Sequence, residues 1–322
     1  MRKGLKITFW IILLAAITTV VIVRWQAWFG TPEEPLWTGD TIVYTIPSLP
    51  AENAEDALLY ELNGELNILV LGDIHNGLTR DNYDTLAARV PQVDLIAQTG
   101  DWLERGQFYY LQAMLHEWVP SALSDVPVVA CPGNHEYSKG LLKTVSPVWT
   151  QTFAHPHNGP EEVPGEHFYV DLPNLRFIII DTNPLIRLPY LTRTLTWLRE
   201  TMEQANGRKV VVMMHHPVLS PAKGRFNPLI YAAFRNALGE ADLVIAGHDH
   251  SYMRCAPFVV VNAAGKPKQQ RTNLRAEVTD SIPVYSVLTV TQPAHSQPAE
   301  LFFKTYRLSD GLMIDSLYAG HH

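Results

Sequence analysis

Leu66-Asn-Ile-Leu-Val-Leu-Gly-Asp-Ile-His75 begins as an almost wholly apolar run and ends on a glycine, a carboxylate and an imidazole. Short runs with little polar alternation mark strands buried on both faces. The same change of character recurs down the chain. Val93 to Ala97 leads to Gly100-Asp101, and Val126 to Ala130 leads to Gly133-Asn134-His135. Val210 to Met214 meets His215-His216, and Ala241 to Ala246 meets Gly247-His248. A further run, Leu175 to Ile180, ends in Asp181. Amphipathic stretches lie between these runs: Asp84 to Arg89, Gln107 to Trp118, Arg193 to Gln204 and Asn227 to Leu238. Strands alternating with helices predict an α/β fold with parallel pairing, and ligands then bind beyond the carboxyl ends of the strands.

Further along, Pro283 to Val290 and Ala299 to Tyr306 read as strands. Ser309-Asp310-Gly311 then turns the chain into Leu312 to Tyr318, a strong hairpin signal. These strands are expected to form a second sheet packed on the first. Residues 64–322 read as one domain, and residues 30–63 as a lead-in stiffened by Pro32, Pro35, Pro47 and Pro50, with a short strand at Thr41 to Ile46. Ahead of it, Ile7 to Val23 carries no charge, and no polar face interrupts it. As a helix it spans ~26 Å, a little under the ~30 Å hydrocarbon core of a bilayer. Arg2, Lys3 and Lys6 precede it, and Trp25, Trp28 and Phe29 follow at an interfacial position. The rival is a cleaved signal peptide, but no small-x-small site stands near Arg24 to Thr31. The expectation is a cytoplasmic stub at 1–6, a transmembrane signal anchor at 7–29 and a catalytic domain on the extracytoplasmic side.

The 322 residues carry 25 Lys and Arg against 32 Asp and Glu, a net charge of −7, which argues against nucleic acid as the main partner. Hydrophobic residues at 47% exclude a disordered chain. Cys131 and Cys255 cannot build a disulfide scaffold or a cysteine-ligated zinc site; they could pair in an oxidising compartment or stay free. Chemistry therefore falls to the 13 histidines and their acidic neighbours. Asp73-Ile-His75 and His248-Asp-His250 each place two donors at i and i+2, on one side of an extended backbone. Asp101, Asn134 and His215 add a carboxylate, an amide oxygen and an imidazole. Together the seven groups suffice for two divalent ions of four ligands each, provided one carboxylate bridges. Mixed nitrogen and oxygen donors suit Zn, Mn, Fe or Ni, and the lack of thiolates speaks against copper(I) or iron–sulfur binding. Two ions ~3.5–4 Å apart can deprotonate a shared water and hold both oxygens of a phosphate-ester displacement.

The ordered set Asp73-x-His75, Gly100-Asp101, Gly133-Asn134-His135-Glu136, His215-His216-Pro217 and Gly247-His248-x-His250 resembles the calcineurin-like metallophosphoesterases. That resemblance covers about 66 to 254 and implies a four-layer αββα sandwich, two packed mixed sheets flanked by helices, around a dinuclear site. It implies that Asp73, His75 and His250 hold one metal, that Asn134, His215 and His248 hold the other, and that Asp101 bridges. It also implies that His135 contacts the phosphate and assists the leaving group, while a hydroxide shared by two divalent or mixed-valence ions attacks phosphorus in line. Gly100-Asp-Trp-Leu-Glu-Arg-Gly106 is similar to the Gly-Asp-x-x-Asp-Arg-Gly box of Ser/Thr protein phosphatases, with Glu104 in place of Asp. By that likeness Arg105 grips phosphate bidentately. Purple acid phosphatases have tyrosine where Glu104 stands, so a tyrosinate-bound ferric ion is not expected. Gly247 to Arg254 resembles their Gly-His-x-His-x-Tyr-x-Arg run, which adds Arg254 to the candidate substrate contacts.

The expected activity is hydrolysis of a phosphate mono- or diester. Two alternatives are a metal-binding or sensing protein of the same fold, and hydrolysis of a lipid-linked pyrophosphate favoured by the anchor. His216 is expected to point away from His215 if the strand continues, as a structural group. Asp181 reads as a cap, and Tyr109, Tyr110, Leu111, Met114, Leu115 and Trp118 as a core face. Lys266, Lys268, Arg271 and Arg275 read as a solvated loop.

Overall fold

The computed structural model describes residues 2–30, 37–38, 65–90, 92–138, 144–172, 174–186, 188–223, 228–263, 268, 270, 276–291 and 299–319. The strand expected at Thr41 to Ile46, nearly all of the 30–63 lead-in and most of the basic 266–275 stretch lie outside these residues. Helix α1 (Arg2–Phe29) opens the chain, and a minimal parallel pair joins β1 (Trp37–Thr38) to β5 (Phe153–Ala154). The first large sheet contains β2 (Glu65–Leu71), β3 (Leu95–Gln98), β4 (Val128–Ala130), β13 (Val284–Thr291), β14 (Glu300–Arg307) and β15 (Met313–Ala319), in the order β15-β14-β13-β2-β3-β4. The second contains β6 (Phe168–Leu172), β7 (Leu175–Ile180), β8 (Lys209–Met214), β9 (Leu243–Ala246), β10 (Tyr252–Cys255), β11 (Phe258–Val260) and β12 (Val278–Asp280), in the order β12-β10-β11-β9-β8-β7-β6. Both are mixed: β2-β3-β4 and β7-β8-β9-β11 pair in parallel, and the outer strands run antiparallel.

Alternation along each strand explains the continuous apolar runs. Leu66, Ile68 and Val70 of β2 face the inter-sheet core with Phe177, Ile179, Val211, Met213, Leu243 and Ile245. Leu69 and Leu71 face the other way, into a layer with Leu86 of α2 (Arg80–Arg89) and Leu111 and Trp118 of α3 (Phe108–Trp118). On the far side, Ile178, Ile180, Val212 and Val244 meet Leu198 of α5 (Leu188–Glu203) and Phe234 and Leu238 of α6 (Pro228–Leu238). A short helix, α4 (Pro147–Thr152), adds Trp149 to the α3 side. Every central strand is thus covered twice, and each fully buried Leu or Phe contributes roughly 1.5–3 kcal/mol.

The C-terminal strands correct one expectation. They do not form the opposing sheet: β13 pairs antiparallel with β2, Leu288 opposite Ile68, and so extends the sheet that β2 begins. The sheet division runs instead between β4 and β6. Ser309-Asp310-Gly311 does turn β14 into β15, with Gly311 at φ 75° and its N–H on the Arg307 carbonyl.

Along α1 the described side chains run unbroken only from Trp10 to Ile22, and nearly all are exposed, Leu14 at 66%. Among the described residues no helix is long and apolar enough to cross a membrane.

Candidate metal centre

The seven residues singled out by spacing meet at the carboxyl ends of β2, β3, β8 and β9 and on the loop after β4. Nε2 of His75 lies 3.2 Å from Nε2 of His250, and Oδ1 of Asp73 lies 3.5 Å from that same His250 nitrogen. Beside them, Nε2 of His215 lies 3.1 Å from Nδ1 of His248 and 3.3 Å from Oδ1 of Asn134. Oδ2 of Asp101 joins the two groups, 3.6 Å from His75 and 3.4 Å from His215. Lone pairs on facing imidazole nitrogens repel unless a proton or a cation stands between them. Two such pairs, with a carboxylate oxygen between, make two adjacent cradles for cations of nitrogen and oxygen preference.

The backbone reaches this convergence by a route that strand alternation does not describe. Asp73, His75, Asp101, His248 and His250 all have positive φ, between 49° and 72°. The donors of Asp73-x-His75 and His248-x-His250 therefore sit on left-handed turns past the strand ends, not on extended chain. Five non-glycine residues in this sparsely populated region carry backbone strain, which persists where surrounding structure over-determines it. Gly100, at φ 101°, has a further reason to be glycine: a Cβ there would lie 2.5 Å from Nδ1 of His215.

Hydrogen bonds hold the donors. Both carboxylate oxygens of Asp73 accept the His248 backbone N–H, at 3.0 and 2.8 Å. Oδ1 of Asp101 accepts the His135 N–H at 2.9 Å, leaving Oδ2 for the centre. Nδ1 of His215 donates to the Thr99 carbonyl at 3.0 Å, so in the neutral ring Nε2 is the nitrogen that presents a lone pair. Glu136, named in the sequence only as part of a motif, proves to be the clasp between two loops. Its Oε2 accepts the N–H groups of Asp101 at 2.9 Å and Gly133 at 2.7 Å, and its Oε1 accepts that of Leu103 at 2.9 Å. The Gly-Asn-His-Glu spacing was the available signal, since a fully buried Glu needs donors.

Charge is poorly balanced without cations. Burial, then the neighbouring Asp101, pushes the Asp73 and Glu136 carboxyls up, Glu136 to about 8. Burial holds His75 down to about 4 against the pull of Asp101. Burial also opposes a charge on His215, yet Asp101, Asp73 and Glu136 together raise it to about 9. Burial works against the Asp101 carboxylate too, but His215, His135 and His75 keep it well below the usual range.

The remaining candidates divide. His135 packs its ring edge-on to His75, centroids 4.5 Å apart, with Nδ1 on the Glu104 carbonyl at 2.6 Å. The Glu104 carboxylate stands 3.7 Å from Nδ1 of His75. Arg105 is exposed on the loop after Asp101. Arg254, on β10, makes a paired bond to Asp315, 2.6 Å from Nε and 3.0 Å from Nη2, and an ion pair to Glu277. Those bonds tie β10 to β15. His216 also departs from expectation. Strand β8 ends at Met214, and the His216 ring turns to lie 4.2 Å from that of His248. Asp181 is a buried hub, accepting from Tyr137, from the Glu166 N–H at 3.2 Å and from Asn183 at 3.0 and 2.9 Å. Cys131 and Cys255 are free thiols.

Residues 66–252 match the family model described as calcineurin-like phosphoesterase. No curated protein matches the chain. Among solved structures, the chain is similar to the purple acid phosphatase PPD1 from yellow lupin (Lupinus luteus) seeds. Identity is 16%, TM-score 0.58, with 80% of this chain and 54% of that one covered, so it spans about half the phosphatase's length. It is also similar to GAP50, the anchor in the inner membrane complex of Plasmodium, at 14% identity and TM-score 0.55, covering 80% of this chain and 89% of that one. At these identities the likeness establishes the fold.

Proposed function

From the premise that the chain belongs to the calcineurin-like phosphoesterase family, we propose that it is a metal-dependent hydrolase of phosphate mono- or diesters. The observation that carries this reading is the pair of cradles joined by Oδ2 of Asp101. Asp73, His75 and His250 would hold one divalent cation, Asn134, His215 and His248 the other, and Asp101 would touch both. Bound there, the cations supply a lowered pKa for a bridging water and Lewis acidity toward phosphoryl oxygens. The chain's own residues do the rest. His135 has Nδ1 on the Glu104 carbonyl, which can only accept, so its other nitrogen would meet a phosphoryl or leaving-group oxygen by carrying a second ring proton. Exposed Arg105, on the same loop as Asp101, would bind the phosphate from outside. The test is a panel of aryl mono- and diesters with metal analysis of the full chain. Hydrolysis should disappear with chelator and with Asp101→Ala; hydrolysis by metal-free protein would end the reading.

A membrane setting belongs to the same proposal. The support is the uncharged Ile7 to Val23 segment, its flanking positive charges, and the exposed apolar side chains of α1. It would place the catalytic domain outside the cytoplasm and favour a lipid-linked phosphate or pyrophosphate. Equal rates on soluble esters and on lipid phosphates in micelles would remove that preference. A second reading, a non-catalytic member of the fold, draws on the likeness to a structure described as an anchor. The complete donor set and His135 favour the hydrolase; full metal content with no turnover on either ester class would favour the other.

A further inference from the structure

We propose that His216 is a hydrogen-bond donor to the phosphoryl group of the substrate, beside the His215–His248 cradle, and not a third imidazole ligand there. The inference rests on reading the site as a phosphoester site. The backbone N–H of His216 donates to Oγ1 of Thr182 at 3.0 Å, and the same hydroxyl lies 2.7 Å from Nδ1 of the His216 ring. A hydroxyl has one proton to give and two lone pairs to accept with. One lone pair takes the backbone N–H. The proton then needs an acceptor, because Thr182 is buried. Among the described residues, Nδ1 of His216 is the acceptor within its reach. An accepting Nδ1 places the ring proton of neutral His216 on Nε2.

The adjacent histidine is locked the opposite way. Nδ1 of His215 faces a carbonyl, which can only accept, so Nδ1 carries a proton and Nε2 of the neutral ring is the nitrogen with a lone pair. Two consecutive imidazoles are thus set by a carbonyl and a hydroxyl into opposite tautomers. One offers a lone pair for a cation, and the other offers an N–H for an anion. The second is in the right place. The His216 ring lies 4.2 Å from that of His248 and 4.9 Å from that of His215, and one ligand atom of each of the three lies within 4.8 Å of the others. An anion held at that cradle would lie beside the His216 ring. His215 and His248 are candidate cation ligands, but a protonated Nε2 has no lone pair to give a metal, which separates His216 from them.

The test uses the full chain, loaded with Mn or Zn, and inorganic phosphate as the probe. His216→Phe should retain the wild-type metal content while the Kd for phosphate and the KM for an aryl phosphate each rise roughly tenfold, the loss of one hydrogen bond to a charged group. Thr182→Val, which frees Nδ1, should weaken phosphate binding in the same direction, and Thr182→Ser should restore it. Nitrogen-15 spectra of the metal-free protein should show His216 protonated at Nε2, and this reading does not depend on turnover. Loss of one cation in His216→Phe, an Nδ1-protonated ring, or phosphate affinity within twofold of wild type in both His216→Phe and Thr182→Val would overturn the proposal. A wild-type chain that binds cations and phosphate but hydrolyses no ester would refute the hydrolase reading while leaving this contact standing. One that binds no phosphate would refute both.

Discussion

Asp101 meets His75 and His215 through one carboxylate oxygen and the His135 N–H through the other. Replacing it with Asn keeps the shape and puts an amide where a bridging anion is needed, so Asp101→Asn should lower cation affinity and hydrolysis together. Glu136 acts at one remove. Its two oxygens collect three backbone N–H groups from the Asp101 and Gly133 loops. Glu136→Gln sets an NH2 group against at least one of them, and metal affinity should fall about 10–100-fold, the usual cost of losing a supporting group behind a metal ligand. Isothermal titration with the chosen metal checks both variants. The identity of these donors was legible from residue type and spacing alone. Their geometry was not, because i and i+2 were read on extended chain, whereas Asp73, His75, His248 and His250 occupy left-handed turns. Nothing in a single sequence marks a non-glycine residue for positive φ. The ion pairs of Arg254 were hidden for a different reason: its partners, Asp315 and Glu277, lie far along the chain, and a motif read locally cannot see them.

At the scale of elements, the five runs that end in donors are all strands, and the four amphipathic stretches are all helices, with ends shifted by a few residues. The helices were legible because each is long enough to show a period of 3.6, and the strands because each is a continuous apolar run that stops at a donor residue. Strands β6, β10, β11 and β12 were missed: three to five residues with mixed polarity show no period, and long-range pairing defines them. The β6–β7 hairpin owes its link to α5 to Arg176. Its Nε and Nη2 hold both Asp171 oxygens at 2.6 Å, its Nη1 donates to the Thr201 carbonyl at 2.9 Å, and its guanidinium lies over the Tyr169 ring. Arg176→Ala leaves a largely buried carboxylate and carbonyl unpaired and should cost about 3 kcal/mol in denaturant unfolding. A leucine-to-alanine change at Leu198, under α5, should cost about 2–5 kcal/mol by the same measurement.

The whole molecule should be acid-sensitive for a reason separate from the metal centre. Burial holds His167 down to about 4, and burial outweighs the nearby Glu166 in lowering His155, which is stacked on Phe168 at 4.2 Å. A histidine held neutral in the fold but free to protonate when unfolded contributes most above its unfolded pKa of 6.5. For His167 that contribution is lost as pH falls from 6.5 toward 4, at about 1.4 kcal/mol per unit, and His155 acts in the same direction. Denaturant titrations at pH 7 and pH 5 should show the drop, and His167→Leu should shrink it. Cation binding acts on the same balance: a metal at 100 times its Kd stabilises the native state by ~2.7 kcal/mol, so chelation should lower the melting temperature.

The proposed hydrolysis turns on a pair of cations bridged by one carboxylate, and metal analysis of the purified full chain tests that most directly. The account predicts about two divalent ions per chain, with both sites weakened together in Asp101→Ala. A single ion per chain, or full occupancy that survives loss of Asp101, would contradict it.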